Sequence, residues 1–346
     1  MRLSTYLLDI MKDEKKTPDA RAIRPFLSLF SFLYRLVLAC VYALYRMRLL
    51  PSYRAPVKVI SVGNMTLGGT GKTPFSVRIA GDVRSMGGRP AVLSRGYGDD
   101  ESHLLKEKLR DIPVLTGRDR VRNAERAFSE LGSDCVILDD GFQHYRLRRD
   151  LDILLIDATS ALGDMKLFPR GVLREPLGRL RDADMAILTK TDMGRANVSS
   201  IRAILKKFNG DIDILESSYR PVLLRDVFSG ATRPVSAIRG RKAAAMSGIG
   251  NPAYFEWMLA KAGAQVAVRL RYPDHHMFTY GDIERAAENC IKGSVGLIVT
   301  TEKDAVKIKR LDGSRPGIEM LALEIDVDIS PDEEALLGRL RSVFNS

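Results

Sequence analysis

Apolar residues fall along this chain in two patterns. Between Val57 and Leu188 they form short runs of strand length: "VKVISV" from Val57, "CVIL" from Cys135, "LDILLI" from Leu151 and "MAIL" from Met185. Each run ends in glycine or polar residues, as strands buried on both faces of a parallel sheet do. Helical stretches alternate with them, the first from Lys72 to about Met86. Such alternation predicts a mostly parallel α/β sheet with helices on both faces and its ligand at the strand C-termini. Beyond residue 220, "RKAAAMSGIGNPAYFEWMLAKAGAQVAVRLRY" reads strand, glycine-rich turn, helix, strand, and "GLIVTTEKDAVKI" reads strand, helix. A smaller α/β domain is expected there, followed by an amphipathic helix over 331–344.

The other pattern is continuous. In "FLSLFSFLYRLVLACVYALY", residues 26–45, seventeen of twenty positions are apolar or aromatic. As a helix it would be about 30 Å long, enough to match a bilayer core. It begins late and lacks a small-residue cleavage site, unlike a signal peptide. Arg24, Arg35 and Arg46 recur every eleven residues and nearly eclipse, with Ser28 and Ser31 beside them. The helix therefore carries one polar stripe on a broad apolar surface. Spanning would leave Arg35 near the bilayer centre, at a cost of at least ~2.5 kcal/mol. An interfacial helix lets all three arginines reach headgroups, so this reading is favoured over spanning, and both over a helix buried in protein.

Composition sharpens this. The 346 residues suffice for two domains. The net charge is +11, and residues 1–58 supply +7 of it, from eleven Lys/Arg and four Asp/Glu. An anionic membrane surface is the expected counterpart, not nucleic acid. Cys40, Cys135 and Cys290 are scattered and odd in number, which argues against a disulfide framework and for a reducing cytosol.

Candidate chemistry begins at "SVGNMTLGGTGKTP", where the first strand runs into a glycine-rich turn and Gly71-Lys72-Thr73. The usual phosphate loop, G-x-x-x-x-G-K-[ST], has glycine where this chain has Thr66. Gly68, Gly69 and Gly71 still allow the turn, and the strand–loop–helix setting is the one such a loop needs. Backbone N–H groups and the helix N-terminus would face phosphates. Lys72 would reach the β- and γ-phosphates and the Thr73 hydroxyl would bind Mg²⁺. The expected ATP cradle comprises Asn64, Thr66, Gly68, Gly69, Thr70, Gly71, Lys72 and Thr73, with Gln143. "CVILDD" ends in Asp139-Asp140, the form of a Walker B element holding Mg²⁺. Arg174, in "GVLREP", offers a planar fork suited to oxyanions. "TKTD", 189–192, resembles a guanine-reading motif, which keeps a membrane-bound GTPase or ATPase switch as the alternative to a kinase.

Six stretches together resemble one family, the tetraacyldisaccharide 4′-kinases of lipid A synthesis: "SVGNMTLGGTGKTP", "LSRGYG", "DDGFQHYRLRRDLDILLID", "GVLREP", "YPDHHMF" and "TTEKDAVKI". Threonine at position 66 is normal in this family. The resemblance implies ATP- and Mg²⁺-dependent transfer of the γ-phosphoryl group to the 4′-hydroxyl of an acylated glucosamine disaccharide 1-phosphate. It places the reaction at the cytoplasmic face of the inner membrane, in a cleft between a larger and a smaller domain. It makes Asp139, Asp140 and Glu101 neighbours of Mg²⁺, with Gln143 and His144 completing their loop. It pairs Asp100, as base, with His275, the first histidine of "DHH", leaving Asp99 as the adjacent alternative. In different domains, the two would meet only on closure. No protein partner is expected.

The predicted organisation is a polar leader over 1–24, in which "KDEKK" is not expected to pack, a membrane-associated helix over 25–50, a phosphate-loop domain over 51–220, a smaller domain over 221–325, and a terminal helix over 326–346 that can return to the phosphate-loop domain.

Overall fold

The apolar runs become strands, and glycine or polar residues mark where they stop. The computed structural model describes residues 3–345 except 12, 14, 97–98, 163–164, 312–316 and 330, and the side chains of 3–5, 8 and 99–101 also fall outside the description. In chain order, the first elements are α1 (Leu3–Met11), α2 (Pro18–Arg46), β1 (Lys58–Asn64), α3 (Lys72–Ser85), β2 (Pro90–Ser94), α4 (Asp99–Lys108), β3 (Val114–Thr116) and α5 (Arg120–Ser129). Next come β4 (Cys135–Asp139), β5 (Leu151–Asp157), β6 (Met185–Thr189), α6 (Thr191–Phe208), β7 (Asp213–Glu216), β8 (Ser218–Asp226) and β9 (Thr232–Pro234). The last are β10 (Lys242–Ser247), α7 (Pro252–Lys261), β11 (Gln265–Arg271), α8 (Tyr280–Lys292), β12 (Leu297–Thr301), α9 (Glu302–Ile308), β13 (Glu319–Asp328) and α10 (Glu333–Asn345).

The chain divides into two units. The first comprises Met1–Arg95, Asp111–Ser217 and Ile329–Ser346. Its seven-stranded sheet has the order β3-β2-β4-β1-β5-β6-β7, and every pairing is parallel. β1 lies at the centre, with Val62 opposite Asp139 of β4 and Asn64 opposite Leu155 of β5. One apolar layer joins Phe142, Leu154, Leu188 and Ile201; another joins Val59, Leu93, Val121 and Leu138. Parallel strands buried on both faces explain why the runs do not alternate with polar residues.

The second unit, Gly96–Arg110 and Ser218–Asp328, holds a six-stranded sheet of order β11-β10-β12-β13-β8-β9. β10 to β13 pair in parallel and β8 closes antiparallel onto β13. Its core gathers Met246, Phe278, Ile283 and Ile298.

Three expectations need correction. Part of "KDEKK" packs: the Asp13 carboxylate takes Arg24, Lys166 and Arg170 at 2.9–3.0 Å, next to buried Ile10 and Met11 of α1, while positions 12 and 14 lie outside the described residues. The long helix starts at Pro18, which is pre-organised for a first helical turn. Finally, a boundary near 220 is incomplete, because α4 leaves the first unit. Lys108 ties it to Glu302 of α9 and, at 3.5 Å, to Glu324 of β13.

α2 is long and apolar enough to cross a membrane, and none of its most apolar 18-residue window is buried. Phe26, Leu29, Phe30, Leu33 and Val37 are exposed along one side. Leu27, Ser31, Tyr34, Leu38, Tyr42 and Tyr45 are half-buried at three- and four-residue spacings, so they share the face that packs on the first unit.

Candidate active site

The centre of the site is built by close backbone approach. A Cβ on Gly63 would stand 2.5 Å from Cβ of Phe142, so the loop after β4 can close on β1 only over a glycine. Asn64 then organises the phosphate loop from within. Its amide donates to the Thr66 carbonyl at 3.0 Å and to Thr70 Oγ1 at 2.8 Å. Thr70 is therefore turned inward and is only 2% exposed. Thr66 forms an antiparallel bridge with Leu173, and Leu67 N–H donates to the Val172 carbonyl at 2.7 Å. Position 66 is thus extended backbone, which a residue with a Cβ adopts freely, and this is why glycine is dispensable there. Gly68 and Gly71 carry the positive φ values, 109° and 88°. Gly71 caps α3 with no side-chain bond to the helix N-terminus, and Lys72 and Thr73 open its first turn.

Three cations converge on Asp139 and Asp140 at the end of β4. Lys72 Nζ lies 3.8 Å from Asp140. Arg174 forks onto both Asp140 oxygens at 2.8 and 3.1 Å, and also donates to the Asn64 carbonyl at 3.1 Å and to the Asn64 side-chain oxygen. Buried Arg120 donates to the Leu93 carbonyl at 2.7 Å and the Asp139 carbonyl at 3.0 Å. Burial alone would raise the Asp140 carboxyl, but Lys72, Arg174 and Arg120 outweigh it and hold it at about 2. Asp139 accepts from Ser76 of α3 at 2.8 Å. Gln143 donates to the Asn64 carbonyl at 2.8 Å. Burial, then Arg120, Arg149 and Arg146, lower His144 to about 4, so it is neutral at pH 7.

Sequence reasoning passed over three of these contacts. Arg120 sits on a helix with no motif of its own, and Ser76 lies two residues past the "GKTP" end of the phosphate-loop motif. Lys190, offered as part of a base-reading motif, instead turns its ammonium onto the Gly69 carbonyl at 2.8 Å and onto Asp157. Thr189 Oγ1 donates to the Thr70 carbonyl at 3.3 Å. "TKTD" thus buttresses the phosphate loop from β6. The one available signal was a lysine in a stretch following a buried strand.

Thr73, Asp139 and Asp140 offer hard oxygen donors beside an uncapped helix N-terminus. No group of three or more His, Cys, Asp or Glu gathers among the described residues. That donor set fits Mg²⁺, which is held by one or two carboxylates together with phosphate and water.

Asp99, Asp100 and Glu101 open α4, and their side chains lie outside the described residues. Gly96–Arg110 belongs to the second unit, as does His275, so the expectation of a dyad drawn from two domains is corrected. Both partners border α9: α4 through Lys108, and His275 through Lys303, whose Nζ is 3.4 Å from His275 Nε2. His275 has a left-handed backbone, φ 58°, and its N–H donates to Asp274 at 3.0 Å. Its neighbour His276 faces inward, 3.0 Å from Asp282 and stacked on Tyr272. "TTEKDAVKI" explains itself here. Thr301 caps α9, and buried Asp304 accepts from Gly248 N–H and from Thr301 Oγ1, both at 2.8 Å.

The family model described as Tetraacyldisaccharide-1-P 4′-kinase (LpxK) matches residues 23–103 and 99–345. A tetraacyldisaccharide 4′-kinase of Anaeromyxobacter dehalogenans (strain 2CP-C) is 35% identical over 321 residues, 86% of this chain and 85% of the relative. One of Syntrophus aciditrophicus (strain SB) is 33% identical over 354 residues, 94% of each. The structure of LpxK from Aquifex aeolicus in complex with ATP superposes with a TM-score of 0.72 at 28% identity, covering 93% of this chain and 99% of that one. The match runs through both units and through the loop that lacks its first glycine: the chain belongs to the tetraacyldisaccharide-1-P 4′-kinase family.

Proposed function

We propose that this protein carries out its family's reaction, moving the γ-phosphoryl group of ATP to the 4′-hydroxyl of a tetraacylated glucosamine disaccharide 1-phosphate. The observation that carries the reading is the convergence of Lys72, Arg174 and Arg120 on Asp139-Asp140 at the mouth of an uncapped helix. Phosphoryl transfer asks little covalent chemistry of a protein; it asks for positioning and for cations where charge builds up. Lys72 supplies one such cation to the β- and γ-phosphates. Thr73, Asp139 and Asp140, with Glu101, would hold Mg²⁺, which would supply positive charge against the negative charge of the phosphates. Arg174 keeps Asp140 ionised and aligned.

A sugar hydroxyl is a poor nucleophile, and a positioned base helps as its proton leaves. We assign that role to Asp100, at the start of α4, where backbone N–H groups fix a carboxylate and favour its ionised form. His275 orients it and shares the proton. The exposed apolar side of α2 rests on an anionic inner-membrane surface at its cytoplasmic face, which brings the enzyme to a lipid acceptor.

The test is incubation of the protein with labelled ATP and a membrane lipid extract. Label in a glycolipid supports the kinase; label reaching only water marks a nucleotide switch. Deleting residues 1–48 is expected to release protein from vesicles and to raise KM for lipid more than KM for ATP. Retained vesicle binding would place the membrane surface elsewhere.

A further inference from the structure

A membrane anchor needs only its apolar side, yet the opposite side of α2 makes specific polar contacts with the segment between β5 and β6 that carries Arg174. Ser31 Oγ donates to the Leu167 carbonyl at 2.9 Å. Tyr34 hydroxyl donates to the carbonyl of Arg174 at 3.0 Å. Tyr42 hydroxyl donates to Asp182 at 3.2 Å, and its ring lies 4.3 Å under the Arg179 guanidinium. Arg179 also covers the Tyr145 ring at 4.7 Å, and Tyr145 donates to Glu175 at 2.6 Å. Residues 174 and 175 are therefore held from two sides: Arg174 directly from α2, and Glu175 through Tyr145 and Arg179.

Arg174 is the residue whose guanidinium forks onto Asp140 and reaches Asn64. Its main chain is fixed in part by Tyr34, and its N–H donates to the Met65 carbonyl at 2.7 Å. A guanidinium fork is directional, so a small rotation of its backbone moves both nitrogens off the carboxylate. Phenylalanine at 34 would keep the ring contact with Phe168, 6.0 Å away, and would serve a membrane surface equally well. The hydroxyl therefore serves the loop.

We propose that Tyr34 is a positioning residue for the kinase reaction: its hydroxyl sets the Arg174 backbone so that the guanidinium stays aligned with Asp140 and Asn64, which makes α2 part of the phosphate-site machinery. This rests on the kinase reading for its effect on turnover, but its effect on nucleotide binding stands apart from the identity of the acceptor.

The experiment is a double-mutant cycle in the full chain, with Tyr34→Phe and Arg174→Lys made singly and together. ATP affinity is read by calorimetry with Mg²⁺, turnover with ATP and glycolipid, and partitioning on vesicles containing anionic lipid. Tyr34→Phe is expected to weaken ATP binding and lower kcat about five-fold, with unchanged partitioning and melting temperature. In the Arg174→Lys background the same change is expected to cost less than two-fold, because a group acting through Arg174 has nothing left to align. Equal losses in both backgrounds, or no loss in either, overturn the proposal. Coupled loss of ATP affinity in a protein that phosphorylates no glycolipid keeps the positioning role and removes the acceptor assignment instead.

Discussion

Two junctions in this molecule share one local grammar and opposite uses. In the first unit, β1 runs through glycines into α3. In the second, β10 runs through "SGIGNP" into α7. Both strands are buried, both loops are glycine-rich, and both helices carry proline in their first turn. The difference lies in what satisfies the orphan N–H groups that every helix N-terminus presents. At α7, Asn251 does so itself: its side chain accepts from Tyr254 N–H at 3.0 Å. At α3 the cap is Gly71, which has no side chain to offer. The carboxylates differ too. Asp304 turns inward, accepting from Gly248 N–H, and burial raises its carboxyl despite that bond and the nearby lysines. Asp140 is surrounded by cations and held at about 2. A glycine-rich loop before a helix is thus not a phosphate site by itself. It becomes one when the helix start has no side-chain cap and positive charge converges on it.

The strongest way to break this contrast is Lys72→Ala. It is expected to lower kcat by orders of magnitude with an unchanged melting temperature, since positioning and charge supply most of this catalysis. Near-normal turnover in the folded variant would remove the phosphate reading of the first junction.

Next in size is the base. Asp100→Asn is expected to reduce kcat by roughly 10²–10⁴ while ATP still binds, as loss of general base catalysis does. His275→Ala should cost a similar factor, and the double variant little more, because a dyad acts as a unit. Asp99→Asn should be mild. Multiplicative losses at Asp100 and His275 would separate them, and a larger loss at Asp99 would move the base by one residue.

Asn251→Ala tests the second junction. Loss of the α7 cap is expected to destabilise by about 0.5–2 kcal/mol in denaturant unfolding, with kcat unchanged. A kcat loss at full folding would give that helix end a part in the chemistry.

The smallest effect is a difference in sign with pH, read from unfolding in the absence of Mg²⁺. Asp140 lies below its unfolded value of about 3.9, so its stabilisation is present above that pH and is lost as pH falls towards the folded value. Asp304 lies above it, so its stabilisation is full below about 3.9 and is lost as pH rises through the folded value. The advantage of the native protein over Asp140→Asn should therefore shrink on acidification, while that over Asp304→Asn should grow. Parallel slopes would erase the electrostatic half of the comparison.

What could be read from the sequence was whatever contiguous residues decide. Buried strands declare themselves by unbroken runs such as "CVIL" and "LDILLI". The strand–loop–helix around Gly68 to Thr73 is local, because left-handed turns need glycines at those places and no distant residue can substitute. Asp139-Asp140 follows from its position at the end of a buried strand. The polar stripe of α2 is legible as well, but by itself it sends Arg24, Arg35 and Arg46 to headgroups and assigns Ser31 no partner. In the fold, Ser31 bonds a loop carbonyl and Arg24 pairs with Asp13.

Tertiary structure alone decided which separated side chains meet. Arg174 reaches Asn64 across 110 positions and Lys190 reaches Gly69 across 121. Neither follows from any spacing, because each depends on strand order in a parallel sheet, where β1, β5 and β6 lie side by side and the segments after them gather at one edge. The unit to which α4 belongs was likewise invisible. Ten helical residues carry no record of their partner, and the ties from Lys108 to Glu302 and Glu324 exist only once α9 and β13 have been laid beside them. Local conformation is set by the steric and hydrogen-bonding needs of neighbouring residues, whereas convergence of charge is set by how the chain crosses over its own sheet.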